Sequence, residues 1–317
     1  MNYQEKINAL YQEQSQNWNL LRRNLEGLKS ARTRKFSFDG FSMYAQFNPE
    51  RILSSAAKVD KDSINKRKCF LCEVNRPPEQ KKVLYEEKYE FLCNPYPIFK
   101  KHFTLSHIEH NPQEISVVFT DFLNISKDLP DLVVFYNAPS CGASAPDHLH
   151  FQAGNMGLMP IESELSGLLA LYGSILIEKD SIKVFSVDDG LRRFILIESD
   201  RQDVIEESFQ HIHEMSKGFT DSDEPMLNIL SYYRNGKWQV LIFLREKHRP
   251  WQYFEEGMNN ILLSPASVDY GGTLITPLEK DFMRIKKEDI ISIFEQTSLS
   301  ADKFELLKAH IKNVIHI

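Results

Sequence analysis

The chain is 317 residues long, 42% hydrophobic and 26% charged, an ordinary globular composition with room for about two domains or one large duplicated one. Its net charge of −6 and pI near 6.0 exclude the basic surface that non-specific nucleic-acid binding relies on, although a local Arg/Lys pocket suffices for a small anionic substrate. Four cysteines are too few for a secreted disulfide scaffold, Met1 to Lys6 lack the apolar core of a signal peptide, and no apolar run approaches the roughly 20 residues of a membrane helix, so a cytoplasmic chain with no membrane partner is expected.

Residues 1 to about 35 read as helix, because Ile7, Leu10, Tyr11, Trp18, Leu21 and Leu28 recur at roughly helical spacing among Gln, Glu and Arg. Phe36, Phe38 and Phe41 then mark a switch to strand. Gln46 to Lys68 is polar and irregular, and its Arg51 and Lys58 stand where a phosphate-binding arm would be placed. The segment leads into Cys69-Phe70-Leu71-Cys72. That spacing is read as metal-binding or redox, with two packed free thiols as the plain alternative; no βαβ pattern surrounds it, which disfavours a redox pair. Val83 to Tyr85, Tyr89 to Cys93 and Phe103 to Leu105 are short β-prone runs. Asn94-Pro95-Tyr96-Pro97 is a rigid loop, since two prolines exclude helix and central strand alike. His102 is read as a surface residue, and Cys93 and Cys141 as plain core or loop residues. A helix is predicted over Pro112 to Ile125, a buried strand over Leu132 to Tyr136, and a small-residue loop over Asn137 to Pro146.

The second half repeats the alternation of strand pairs and helix, without a repeat at the level of identical residues. His211 and His213 lie on a helical pattern where residues two apart do not share a face, and they read as solvated helix surface. Leu227 to Tyr233 and Trp238 to Arg245 flank Asn235-Gly236, a strong hairpin signal. Arg245, Lys247, His248 and Arg249 end that second strand, where one or two of them can reach a polyanionic ligand. Thr273 to Ile275 is one more strand, and helices follow near 287–296 and 301–313.

Chemistry concentrates in His148-Leu149-His150-Phe151-Gln152-Ala153. Strand side chains alternate, so Leu149, Phe151 and Ala153 point into a core while His148, His150 and Gln152 share the opposite face, about 7 Å apart along the strand. Three polar groups in a row on one sheet face are unfavourable unless that face is a site. A neutral histidine can attack phosphorus and hold a nucleotidyl group reversibly, and a glutamine two residues on can donate its amide to a phosphate oxygen. The preceding loop, Cys141 to Pro146, offers backbone N–H groups and the Ser144 hydroxyl to a phosphate.

These residues resemble the galactose-1-phosphate uridylyltransferase branch of the histidine-triad superfamily, whose relatives include the dinucleoside tetraphosphate phosphorylases and the GDP-hexose (GDP-L-galactose) phosphorylases. The likeness runs over roughly residues 46 to 285, with strong motif specificity at 137–152. Its hallmark, His-x-His-x-Gln after a Gly/Ser-rich loop, is matched by His148, His150 and Gln152, and looks most similar to the GDP-hexose phosphorylases. Phe135-Tyr136-Asn137 ends the preceding strand as in the family, Asn94-Pro95-Tyr96-Pro97 resembles its base and ribose loop, and Ser264-Pro265-Ala266 through Asp269-Tyr270-Gly271-Gly272 resembles a C-terminal phosphorylase segment. The resemblance implies that His150 is the nucleophile toward the α-phosphorus, that Gln152 holds non-bridging oxygens, and that Ser144 and Asn137 support the phosphates. One departure affects Ser144: three residues, Ala145, Pro146 and Asp147, separate it from the first histidine where the family usually has two. The resemblance also implies a structural zinc on Cys69, Cys72 and His148, with His107 or His110 as fourth ligand and His110 favoured.

The expectation is an α+β protein: two related histidine-triad-like halves, each an antiparallel sheet with flanking helices, behind an N-terminal helix. The expected divisions are 1–40 for the helical segment, 41–190 for the catalytic half with its metal site, and 191–317 for the half that completes the nucleotide pocket. The expected activity is nucleotidyl transfer or phosphorolysis of a nucleoside diphosphate hexose, GDP-hexose favoured, or of a dinucleoside polyphosphate, with no organic cofactor, in a monomer or homodimer. A hydrolase of the same superfamily and a zinc-stabilised nucleotide-binding protein without turnover are the alternatives; Gln152, where those hydrolases carry a further histidine, points to transfer. Asn94, Pro95, Tyr96, Asn137, Ser144, Arg51 and Lys247 are the expected substrate contacts.

Overall fold

The structure is a computed structural model, and it describes residues 2–49, 61–179, 181–220 and 224–314. Arg51 and Lys58 therefore lie outside the described residues. The chain opens with two helices, α1 (Tyr3–Asn17) and α2 (Asn19–Lys29), broken at Trp18, whose backbone is extended. Asn2 caps α1 by accepting from the Glu5 N–H at 2.8 Å, while the Glu5 carboxylate accepts from the Asn2 N–H at 3.1 Å. The helical reading through residue 35 was too long: strand β1 (Arg32–Ser37) starts three residues after Lys29 and turns at Gly40 (φ 72°) into β2 (Ser42–Phe47). These two pair antiparallel, and β13 (Thr273–Thr276) joins β2 in parallel, which makes a small sheet of three strands.

Ten further strands form one continuous antiparallel sheet. In chain order they are β3 (Lys82–Tyr85), β4 (Tyr89–Cys93), β5 (His102–His107), β6 (Leu132–Asn137), β7 (His150–Asn155), β8 (Gly173–Lys179), β9 (Ile182–Asp188), β10 (Arg193–Ser199), β11 (Leu227–Arg234) and β12 (Lys237–Leu244). Their spatial order is 3-4-5-7-6-11-12-10-9-8. Read outward from the centre, each half is the same unit: three strands in sequence, a helix, then two strands of which the second inserts beside the third. The duplication is therefore present in topology, and β6 and β11 join the halves with Asn137 opposite Asn228. Since β8 and β9 pair with each other and β9 with β10, the second unit starts at Gly173. The expected division at 190 lies between β9 and β10, which pair with each other.

Alternation along the strands sorts side chains into two cores. On β6, Leu132, Val134 and Tyr136 enter one, Val133 and Phe135 the other. The first core lies under α1, α3 (Phe119–Asp128), α4 (Gln202–Lys217) and the C-terminal α5 (Ala301–Val314). The equivalent helices of the two units, α3 and α4, meet where Phe119 stacks on Phe209 with centroids 3.7 Å apart. The second core is covered by the small sheet and by α6 (Ile161–Tyr172), α7 (Ser267–Tyr270) and α8 (Lys287–Thr297). Each fully buried Phe, Leu or Ile in these layers stabilises the fold by about 1.5–3 kcal/mol. The helix expected from Pro112 begins only at Phe119, since the residues before it form a turn held by buried polar contacts. The Asn235-Gly236 turn has positive φ at both residues, 52° and 78°, as a two-residue hairpin requires.

Candidate active site

Strand β7 carries the site. Phe151 and Ala153 enter the first core, while His150 and Gln152 line a cavity of about 710 Å³ on the opposite sheet face. Leu149 is buried, and His148, just before the strand, turns toward a cluster of sulfur and nitrogen atoms. The second unit has no chemical counterpart, since Val240 to Leu244 on β12 are apolar and buried.

His150 is 3% exposed and neatly divided between two environments. Its Nδ1 lies 2.8 Å from the His148 carbonyl, an acceptor only, so Nδ1 carries the proton and Nε2 keeps its lone pair. Burial holds the imidazole's pKa down to about 4, so the ring is neutral near pH 7. The backbone of His150 is clamped by Gln113, whose side chain accepts from the His150 N–H at 2.8 Å and donates to its carbonyl at 2.9 Å. Gln113 is buried and donates also to the Asn137 carbonyl at 3.1 Å, tying β7 to the end of β6.

Asn137 lines the cavity from β6, and its amide is oriented by a chain of donors. Arg245, which can only donate, reaches the Asn228 Oδ1 at 2.7 Å; Asn228 Nδ2 then donates to Asn137 Oδ1 at 2.8 Å, and the Ser267 N–H donates to the same oxygen at 2.9 Å. With its oxygen so occupied, Asn137 offers the cavity its NH2. The loop after β6 supplies Gly142, Ala143 and Ser144 to the wall. Gly142 has φ 98°, and a Cβ there would meet the Ala266 Cβ at 2.6 Å, so only glycine fits. The Ser144 carbonyl accepts from Arg67 at 3.3 Å, and the same guanidinium pairs with Asp147 at 2.8 Å.

Asn94, Pro95 and Tyr96 line the cavity, with the Asn94 side chain turned inward to accept from the Tyr96 N–H at 2.9 Å. Helix α2 fixes this loop, because the buried Asn24 donates to the Pro95 carbonyl at 2.6 Å, and Trp18 adds an indole to the wall. The second unit contributes His248, Arg249, Tyr253 and Ser264. Lys247 does not line the cavity: its side chain is exposed and its carbonyl accepts from Arg245, while the next two residues turn inward. Arg249 stacks over Tyr253 with 4.1 Å to the ring centroid. Arg67 Nη1, Arg249 Nε and Ser264 Oγ are buried without hydrogen-bond partners among the described residues. Unpaired buried donors of this kind are unfavourable unless an acceptor-rich ligand meets them.

The metal-type cluster comprises Cys69, Cys72, His110 and His148, whose donor atoms all lie within 4.8 Å of one another. The Sγ of Cys69 is 3.3 Å from His148 Nδ1, and that of Cys72 is 3.2 Å from His110 Nδ1 and 3.6 Å from His148 Nδ1. A tetrahedral zinc with Zn–S of about 2.3 Å and Zn–N of about 2.05 Å sets such S···N edges near 3.6 Å, so the residues fit that ion. His148 Nε2 donates to the His107 carbonyl at 2.8 Å, which leaves Nδ1 free of a proton and turned to the sulfurs. His107 itself is outside the cluster, its Nδ1 accepting from the Glu109 N–H at 3.0 Å. Asp147 Oδ2 stands 3.6 Å from His110 Nε2 as an outer partner.

Two histidines depart from the surface positions expected of them. His102 is 2% exposed and bonded to Gln152; His213 is 1% exposed and faces Glu224, whose carboxylate also accepts from Tyr136 at 2.9 Å. Neither carried a sequence signal beyond its residue type, because a lone histidine in a short strand or an amphipathic helix fits either face.

Residues 10–155 match a family described as a domain of unknown function (DUF4922), and residues 169–316 match the GDPGP1-like C-terminal domain. No curated protein matches the chain in sequence. Among solved structures, yeast Ap4A phosphorylase Apa2 is similar over 95% of this chain and 96% of its own, with TM-score 0.59 and 16% identity. The same yeast enzyme in complex with AMP gives TM-score 0.57 at 16% identity over 94% and 98% of the two chains. Its complex with Ap4A gives 0.55 at 14% over 88% and 97%. At such identities the likeness is one of fold: a mixed α and β protein with large antiparallel sheets.

Proposed function

We propose that the chain is a member of the galactose-1-phosphate uridylyltransferase, Ap4A phosphorylase and GDP-hexose phosphorylase branch of the histidine-triad superfamily, a reading supported by its C-terminal family match and by its fold. On this reading it is a nucleotide phosphorylase or transferase that works through a nucleotidyl group on His150, with a nucleoside diphosphate hexose, GDP-hexose favoured, or a dinucleoside polyphosphate as donor. The observation that carries it is the His150 ring, neutral, with Nδ1–H given to the His148 carbonyl and Nε2 left for a cavity that also holds Gln152.

Nε2 attacks the α-phosphorus, forming an N–P bond as the bond from that phosphorus to the bridging oxygen breaks. The oxygen leaves with its electron pair as a sugar phosphate or, from a dinucleoside polyphosphate, as the second nucleotide. An orthophosphate oxygen then attacks the same phosphorus, the P–N bond breaks, its electrons return to Nε2, and a nucleoside diphosphate is released. The NH2 groups of Gln152 and Asn137 and the small-residue loop at Ser144 stabilise the non-bridging oxygens as charge shifts onto them. Arg67 and Arg249 counter the charge of the distal phosphates.

Cys69, Cys72, His110 and His148 would hold a structural zinc, which supplies a rigid cross-link and no chemistry at phosphorus. Its effect on catalysis is positional: it fixes the His148 ring, hence the carbonyl that sets the His150 tautomer. The test is a panel of GDP-, UDP- and ADP-sugars and dinucleoside polyphosphates incubated with and without orthophosphate. Product released only with orthophosphate supports the phosphorylase; equal release without it points to hydrolysis, and no turnover of any donor contradicts the reading.

A further inference from the structure

We propose that His102 is a positioning residue that sets the direction of the Gln152 carboxamide, so that its NH2 group faces the cavity. The proposal rests on the reading of Gln152 as a phosphate contact and extends it to a residue that touches no substrate.

Two contacts fix the protons. The Ile98 N–H points at His102 Nδ1 from 3.2 Å, and a backbone N–H can only donate, so Nδ1 is the bare, accepting nitrogen. A neutral imidazole then carries its proton on Nε2. That nitrogen lies 2.9 Å from the Gln152 side chain, so the atom it meets must be an acceptor, the Oε1. The amide is thereby oriented by a chain of donors that starts at a main-chain N–H, and its Nε2 remains for the cavity that Gln152 lines. Left unconstrained, an amide can present either end, and the oxygen end would meet phosphate oxygens as acceptor against acceptor.

The surroundings hold the ring in this pose. It is 2% exposed and packs against both Phe99 and Phe135, at centroid distances of 5.3 and 6.0 Å. In the β5–β7 register His102 is opposite Gly154, where a Cβ would strike the Phe99 ring at 2.4 Å, so glycine lets the phenyl close beside the imidazole. On the neighbouring strand β6, Asn137 is turned the same way from Arg245 through Asn228. Both amides therefore present donors, each for a reason rooted outside the cavity.

The first test needs no activity. In the full-length chain labelled with 15N-histidine, long-range 1H–15N correlation at neutral pH reports each tautomer, with the His102 signals assigned by their loss in His102→Gln. A proton on Nε2 alone is expected; a proton on Nδ1 overturns the proposal. The second test is a double-mutant cycle on the phosphate-dependent reaction. His102→Phe is expected to lower kcat by roughly 10–100-fold with little change in KM, to add nothing in a Gln152→Ala background, and to be partly reversed in His102→Gln, whose amide can still donate. Equal losses in both backgrounds overturn the proposal. If His102→Phe does not fold, the tautomer in the unmodified chain decides. Absence of turnover with every donor would sink the functional reading, while the tautomer would still decide how Gln152 is turned.

Discussion

An imidazole attacks phosphorus only while one nitrogen is bare, and at His150 that condition is met by a single carbonyl, that of His148. The cavity's other polar groups are likewise fixed from behind, and the cost of disturbing them follows from what each would leave unpaired. On the proposed function, Gln152→Ala would remove one donor to a phosphate oxygen and is expected to lower kcat by about 10²–10³-fold, read in steady-state phosphorolysis. Arg245 is 1% exposed and gives hydrogen bonds to Asn228 and to the carbonyls of Thr297, Pro265, Lys247 and His248. Arg245→Met removes those five hydrogen bonds and is expected to reduce stability by roughly 2–5 kcal/mol in urea unfolding. Gly142→Ala should lower the thermal midpoint by several degrees, as both its positive φ and its contact with Ala266 oppose a side chain, at a cost of about 1–3 kcal/mol. Residue types and their spacing singled out His148, His150, Gln152 and the cysteine pair as candidates, because few other roles suit that spacing. They could not identify His102 or Gln113, whose importance comes from which atom faces which partner.

At the scale of elements, β7 works because it is clamped on both sides. Gln113 satisfies the His150 N–H and carbonyl where β6 does not reach, and Gln113→Ala would leave a buried N–H bare, a loss of about 1–3 kcal/mol measurable by denaturant unfolding. The cysteine and histidine cluster meets the same end of the strand through His148, just ahead of His150. Purified chain is expected to contain about one zinc per molecule by elemental analysis, and Cys72→Ser to lose it together with thermal stability. A full-strength metal-free chain with an unchanged thermal midpoint would contradict the structural role. Strand and helix periodicity was legible for most elements: the β3 to β7 runs, the Asn235-Gly236 hairpin and the two C-terminal helices stand near their expected places. Where the reading slipped, tertiary contacts decided. The segment from Pro112 has helix-compatible residues but is held as a turn by Gln113 and by Glu224, which accepts from the Ile115 N–H at 3.0 Å. Beyond β12, the charge cluster was visible, yet which members face inward depends on the path of the turn around Arg245, so Arg249 and His248 reach the cavity and Lys247 does not.

For the whole molecule, one unit architecture serves two purposes. The first unit bears the imidazoles, and the second keeps an apolar counterpart strand and lends the cavity part of its wall and the Arg249 cation. In the sequence the repeat shows only as an alternation of strand pairs and helix, because it conserves strand order and sheet faces, which many apolar residues can satisfy, and no identical motif. The central claim, a nucleotide carried on His150, is tested most directly by intact-protein mass after incubation with GDP-hexose and the other donors in the absence of orthophosphate. The account predicts a mass increase of one nucleoside monophosphate that is acid-labile and base-stable, is discharged as nucleoside diphosphate when orthophosphate is added, and is absent from His150→Ala. An adduct that persists in His150→Ala, or turnover by the unmodified chain without any adduct, would contradict it.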